Sequence, residues 1–206
     1  MKVLLVGASG MIGSRILAEA HARGHQITAA ARNEGRVEKL DGVQVLSLDV
    51  AELANKAEGY DVVISALSPR STVDAYAEAQ GFAKSLIAAA EKGPRIIMVG
   101  GAGSLNLPDG RPVLEILPEI YLSEAKAMKA AYEALKNSDT NWTVIAPSAE
   151  IAPGAKTGRY TVGGNTLLSD SNGRSHISAE DFAAAVVSEM ETRQHERQIV
   201  TVGYTE

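Results

Sequence analysis

Six short apolar runs recur along the chain up to residue 147. "KVLLVG" (2–7), "QITAAA" (26–31), "VQVLSLDV" (43–50), "DVVISAL" (61–67), "RIIMVGG" (95–101) and "NWTVIAP" (141–147) read as strands. Most are continuous rather than alternating, as expected of strands buried on both faces. Longer stretches with helical spacing lie between them. Residues 11–24 carry Ile12, Ile16, Leu17 and Ala20 on one stripe, with Gly24 as a stop. Residues 74–91 repeat Tyr76, Phe82, Ala83, Leu86, Ile87 and Ala90 at steps of three and four, and 118–137 is mostly helical. This alternation predicts an α/β fold with a mostly parallel sheet and helices on both faces.

The last third changes character. "TGRYTVGGNTLLSD" (157–170) alternates loosely around Gly163 and Gly164 and reads as a small hairpin or extended flap. "SAEDFAAAVVSEM" (178–190) reads as a helix. Ser178 is its N-cap and Asp181, three residues on, gives a near-capping box with an acidic first turn. "RQIVTVGY" (197–204) is a closing strand. No repeat, low-complexity tract or linker interrupts the chain, so residues 1–206 read as one domain.

Composition narrows the functional classes. The 206 residues are 45% hydrophobic and 22% charged, which suits one soluble domain with a sizeable core. A net charge of −5 gives no basic surface for nucleic acid. With no cysteine, thiolate chemistry, disulfides and cysteine–zinc sites are excluded, and a reducing cytoplasm fits. The opening "MKVLLVGASG" has too short an apolar core for a signal peptide and reads as the start of a mature domain. No run approaches the roughly 18 apolar residues of a membrane span.

The first chemistry-bearing motif is "GASGMIGSR", with Gly7, Gly10 and Gly13 between a strand and a helix. In that context Gly7 allows the tight turn, Gly10 lets the backbone approach a pyrophosphate, and Gly13 lets the helix pack on the strand. The backbone N–H groups of Ser9, Gly10, Met11 and Ile12 would point at phosphate oxygens, aided by the helix dipole. The expected ligand is a dinucleotide. "AAARNEGR" then decides its type. Where an NAD site places a carboxylate, Ala31 and Arg32 stand, followed by Asn33, with Arg36 nearby. A guanidinium pairs with a phosphate, so NADP(H) is favoured over NAD(H). Arg15 is a possible helper. Asp49 is a candidate acceptor for the adenine amino group, or else a helix N-cap. Val50 is the next residue along.

"VGASGMIG", "AARN", "SLDV" and "VVISAL" together resemble an atypical, extended-type short-chain dehydrogenase/reductase. "NWTVIAPSAEIAPGAKTGRYTVGGNTLL", "RSHISAEDFAAAVVSEME" and "HERQIVTVGY" resemble the NADH-flavin reductase group more narrowly, close to NmrA-like and biliverdin-reductase-B-like NAD(P)H-binding proteins. The resemblance spans nearly the whole chain. It implies a Rossmann-type, doubly wound sheet and a small C-terminal substrate lobe made mostly of residues 148–180. It also implies that Pro147 and Ser148 sit beside the nicotinamide. Ala66, Leu67 and Ser68, at the carboxyl end of the fourth strand, are further candidate contacts, because ligands bind there in doubly wound sheets.

In the wider superfamily a tyrosine moves the substrate proton and a lysine four residues later assists it. "PEIYLSEAKAMKA" offers Tyr121 and Lys126, five apart and therefore turned by about 140° on a regular helix. Leu122 or Ala125 would occupy the missing partner's place. Ser104, in "GGAGSL", is a candidate for the superfamily's carbonyl-binding serine. Ser104, Tyr121 and Lys126 are thus weak catalytic candidates, and the catalytic group is otherwise unknown. Without the pair, hydride transfer is still feasible to a flavin-like or quinone-like conjugated acceptor, which spreads its charge and takes a proton from solvent. FMN or FAD would then be a substrate. A non-catalytic NADP(H) sensor of the NmrA-like kind is the alternative; a sugar-nucleotide epimerase or dehydratase fits less well. Thr157, Arg159 and Tyr160 could cover the acceptor. His21 and His25 have helical ligand spacing but straddle Gly24, and no metal site is expected. His176 reads as loop support, His195 as part of a charged turn, and Trp142 as core. The expected partner is a small planar acceptor, with neither nucleic acid nor membrane; monomer and homodimer both fit.

Overall fold

In the computed structural model, which describes residues 1–69 and 73–206, alternate side chains of each central strand enter different cores. In β1 (Lys2–Val6), Val3 and Leu5 join one apolar cluster, while Leu4 and Val6 join another. In β5 (Arg95–Val99), Ile97 and Val99 face the first and Ile96 and Met98 the second. That is why these runs are apolar throughout: each strand has two inner faces. Helices α1 (Met11–Ala22) and α4 (Ala179–Thr192) cover the first face. Helices α2 (Ala75–Ala90) and α3 (Glu119–Lys136) cover the second.

The remaining strands of the main sheet are β2 (Gln26–Ala31), β3 (Gln44–Ser47), β4 (Val62–Ser65), β6 (Trp142–Pro147), β8 (Thr161–Gly163) and β10 (Gln198–Gly203). Their order is β3-β2-β1-β4-β5-β6-β10-β8, parallel except that β8 runs antiparallel to β10. The chain winds outward from β1 in both directions, so the order reverses between β1 and β4. This is the expected Rossmann-like, doubly wound α/β fold. Two short strands, β7 (Glu150–Ala152) and β9 (His176–Ser178), pair parallel beside the main sheet.

Two local readings change. The third strand ends at Ser47 rather than residue 50, because the Asp49 carboxylate accepts the Ala51 N–H and starts a 3-10 turn over Val50–Asn55. The 157–170 segment forms no hairpin of its own. Its one strand, β8, finds its partner in β10 at the sheet edge. Residues 148–180 therefore contribute to both the small sheet and the large one.

Ser178 caps α4 as expected, accepting the Asp181 N–H at 3.0 Å. The Asp181 carboxylate does not complete the box. It is fully buried and accepts from the Thr157 and Gly158 N–H groups, the Thr157 hydroxyl and the Tyr204 hydroxyl, at 2.6–2.9 Å. Burial alone would raise its pKa, but these hydrogen bonds outweigh that and hold the carboxyl below its usual range. A second buried carboxylate, Glu189, pairs with Arg95 at 2.5 Å and with His195 Nδ1 at 2.7 Å. The Arg95 guanidinium also donates to Thr143. Trp142 is buried, edge-on to Tyr132.

Candidate cofactor and active site

The β1–α1 turn depends on its glycines for different reasons. Gly7 has φ +85°, and a β-carbon on it would lie 2.7 Å from the Ala66 carbonyl oxygen. A β-carbon on Gly13 would lie 2.1 Å from the Gly7 carbonyl oxygen, so the first turn of α1 rests directly on the backbone. Gly10 is the N-cap of α1, in extended conformation, and no side chain caps that end. The first-turn N–H groups thus keep their capacity for an anion.

A cleft of about 650 Å³ opens over this turn. Of the sequence-predicted contacts, Gly7, Ser9, Gly10, Arg32, Asp49, Val50, Ala66, Leu67 and Ser68 line it. Met11, Ile12, Gly13, Asn33, Pro147 and Ser148 lie outside its walls. The Asn33 side chain accepts the Gly35 N–H, and Ser148 is buried with its hydroxyl donated to the Val202 carbonyl. The cleft continues between the 3-10 turn and α2, past Ala51, Ala54, Ala77, Gly81, Ser85 and Ala88, a wall whose small residues gave no recognisable signal in sequence.

The Arg32 side chain is exposed at one end of the cleft, and among the described residues its guanidinium has no hydrogen bond or ion pair. Arg15 does not join it. Its guanidinium pairs with Glu180 at 3.1 Å, which is why the helper role suggested by position along α1 is not available. Asp49 spends one oxygen on the Ala51 N–H, so capping holds for that oxygen, and the residue also lines the cleft.

Across the second face, α3 is one continuous helix through Tyr121 and Lys126. Both side chains are exposed and, among the described residues, neither the phenol nor the ammonium has a polar partner. Ala125 and Met128 of α3 meet the turn after β5: a β-carbon on Gly103 would lie 2.8 Å from the Ala125 methyl, and one on Gly101 3.9 Å from the Met128 β-carbon. Beside Gly103, the Ser104 hydroxyl is buried and, among the described residues, has no hydrogen-bond partner. Glu124, which sequence reasoning passed over, accepts a hydrogen bond from Ser68 at the cleft wall. Thr157, clamped to Asp181, lines a separate, open depression together with Arg159, Tyr160 and Tyr204.

His21 and His25 have ordinary partners. His21 bonds the Asp41 carbonyl. His25 lies between the N-terminal amine and Glu191, a carboxylate that the fold brings from 166 residues away.

A profile described as NAD(P)H-binding matches residues 7–193. The chain belongs to this NAD(P)H-binding family. It is 34% identical to the uncharacterised Bacillus subtilis protein YwnB, over 98% of each chain. A Bacteroides thetaiotaomicron structure provisionally assigned as an epimerase shares 36% identity at a TM-score of 0.91, covering 100% of this chain and 97% of that one. A Streptococcus pneumoniae structure provisionally assigned as an NADH-flavin reductase shares 29% identity at a TM-score of 0.87, with 100% of both chains covered. The family match fits the resemblance read from sequence, and the glycine cradle fits a nicotinamide dinucleotide: its backbone is bare where a phosphate would approach. No helix among the described residues is long and apolar enough to cross a membrane.

Proposed function

We propose that this protein is an NADPH-dependent reductase that passes hydride to a flavin-like or quinone-like conjugated acceptor in the cytoplasm. The observation that carries the reading is the spacing along α3: Leu122 stands four residues before Lys126 and Ala125 four residues after Tyr121, while the glycine cradle is intact. Reduction of a ketone creates an alkoxide that demands a proton donor in place, whereas a conjugated acceptor disperses charge and draws its proton from water. Tyr121 and Lys126, about 140° apart on α3, supply no substitute pair. The provisional name of the Streptococcus pneumoniae relative supports the same chemistry.

In this reading Ser9, Met11 and Ile12 offer backbone N–H groups to the diphosphate; Gly10, whose own N–H is donated to the Gly7 carbonyl, gives it close approach, and Gly7 and Gly13 shape the turn. Arg32 takes the 2′-phosphate, with Asn33 ordering the loop that carries it. Asp49 and Val50 bound the adenine, and residues 66–68 the opposite wall. Pro147 and Ser148 shape the nicotinamide end from β6. The cofactor, when bound, supplies the hydride; the chain's part is to orient two flat rings and to exclude competing geometry. Ser104, with its unspent hydroxyl, is the residue to orient a polar atom of the acceptor.

The test is NADPH oxidation with FMN, FAD, riboflavin, quinones and biliverdin as acceptors. Turnover with at least one is expected. Tight NADPH binding with no turnover on any acceptor would replace this reading with the NADP(H)-sensor alternative, which the same missing proton donor favours.

A further inference from the structure

A hydrogen bond from Ser68 to Glu124 joins two elements, the loop after β4 and the first half of α3. Ser68 is itself part of the cleft wall. The sheet order says which end this is. Arg32 and Asp49 follow β2 and β3, on one side of the β1 turn; Ser68 follows β4, on the other. A dinucleotide with its diphosphate on that turn and its adenosine half toward Arg32 has the β4 side left for its nicotinamide half. Lys126, two residues beyond Glu124, is turned about 200° away from it. Of Glu124 and Lys126, the one bonded to the cleft wall is therefore the carboxylate.

We propose that Glu124 sets the redox preference of the bound cofactor. The oxidised nicotinamide ring carries a positive charge that the reduced ring lacks, and a nearby carboxylate favours the charged form. When hydride leaves, two electrons and one hydrogen pass together to the acceptor and the ring gains one unit of positive charge. Glu124 favours that product over the reactant, so bound NADPH becomes a stronger hydride donor. Ser68 is a positioning residue, because its hydroxyl, on the cleft wall, donates to the carboxylate. The inference rests on the dinucleotide reading above.

The test compares dissociation constants for NADP⁺ and NADPH, by anaerobic calorimetry without acceptor, in the wild type, Glu124→Gln and Glu124→Lys. Loss of the charge should lower NADP⁺ affinity relative to NADPH by about five-fold, and its reversal should lower it further. The shift should shrink with added salt, because Glu124 is exposed. A structural role alone would weaken both forms equally, and equal changes in the two variants would overturn the proposal while leaving dinucleotide binding intact. A wild type that binds neither form would overturn the cofactor reading and this inference with it.

Discussion

The α-carbon of Gly13 faces the carbonyl of Gly7 so closely that no side chain can stand between them: a β-carbon would lie 2.1 Å from the oxygen. The obstacle is backbone, which cannot rotate away as a side-chain tip can. Gly13→Ala should therefore push α1 off the turn. We expect a loss of about 1–3 kcal/mol in stability, an overpacking cost, together with at least a ten-fold loss of dinucleotide affinity. Denaturant melts and NADPH titration measure the two. A variant with wild-type values for both would show that the close packing of α1 is dispensable.

Arg32→Ala should weaken NADPH by about ten-fold or more, the scale of a hydrogen bond to a charged group. NADH, which lacks the 2′-phosphate, should be affected little. Equal losses for both dinucleotides would refute the assigned role. Arg15→Ala, by contrast, should leave the NADPH-to-NADH ratio unchanged, because that guanidinium is held by Glu180.

These two arginines show what was legible in the chain and what was not. Strand and helix positions followed from apolar spacing because each central strand buries both faces. The cradle followed from three glycines in the right context. Arg15 and Arg32 both suited a phosphate, and only tertiary contact separates them, since Glu180 lies 165 residues from Arg15. Glu124 was invisible for the same reason: nothing in "YLSEAKAM" announces that Ser68 will meet it. Asp181 looked like a local capping residue, yet its carboxylate is taken by partners 23 and 24 residues away.

Asp181 predicts an acid limit. Its folded pKa lies below the unfolded value of about 3.9, so its contribution is fully present above about pH 4 and is lost as pH falls through the folded pKa. Asp181→Asn should cost about 1–3 kcal/mol at neutral pH. The gap between wild type and variant should close as pH drops below about 4. Melting temperatures between pH 7 and 3 check this, and a constant gap would contradict it.

Arg95 and Glu189 make a buried pair whose halves depend on each other. Arg95→Met should cost about 3–5 kcal/mol, because the buried Glu189 loses its guanidinium partner. Adding Glu189→Leu should restore much of that loss. A double variant no more stable than the single one, in urea unfolding, would show that the pair's value lies in more than mutual neutralisation.

The main sheet ends in β3, four residues long, and in β8, three residues long and opposed in direction to its neighbour β10. A foreign strand needs a longer row of unpaired amides to take hold. The eight-stranded array thus stops its own growth at both margins. The protein should resist fibril formation and edge-to-edge association even at high concentration, without charged gatekeepers having to be placed inside its apolar strands.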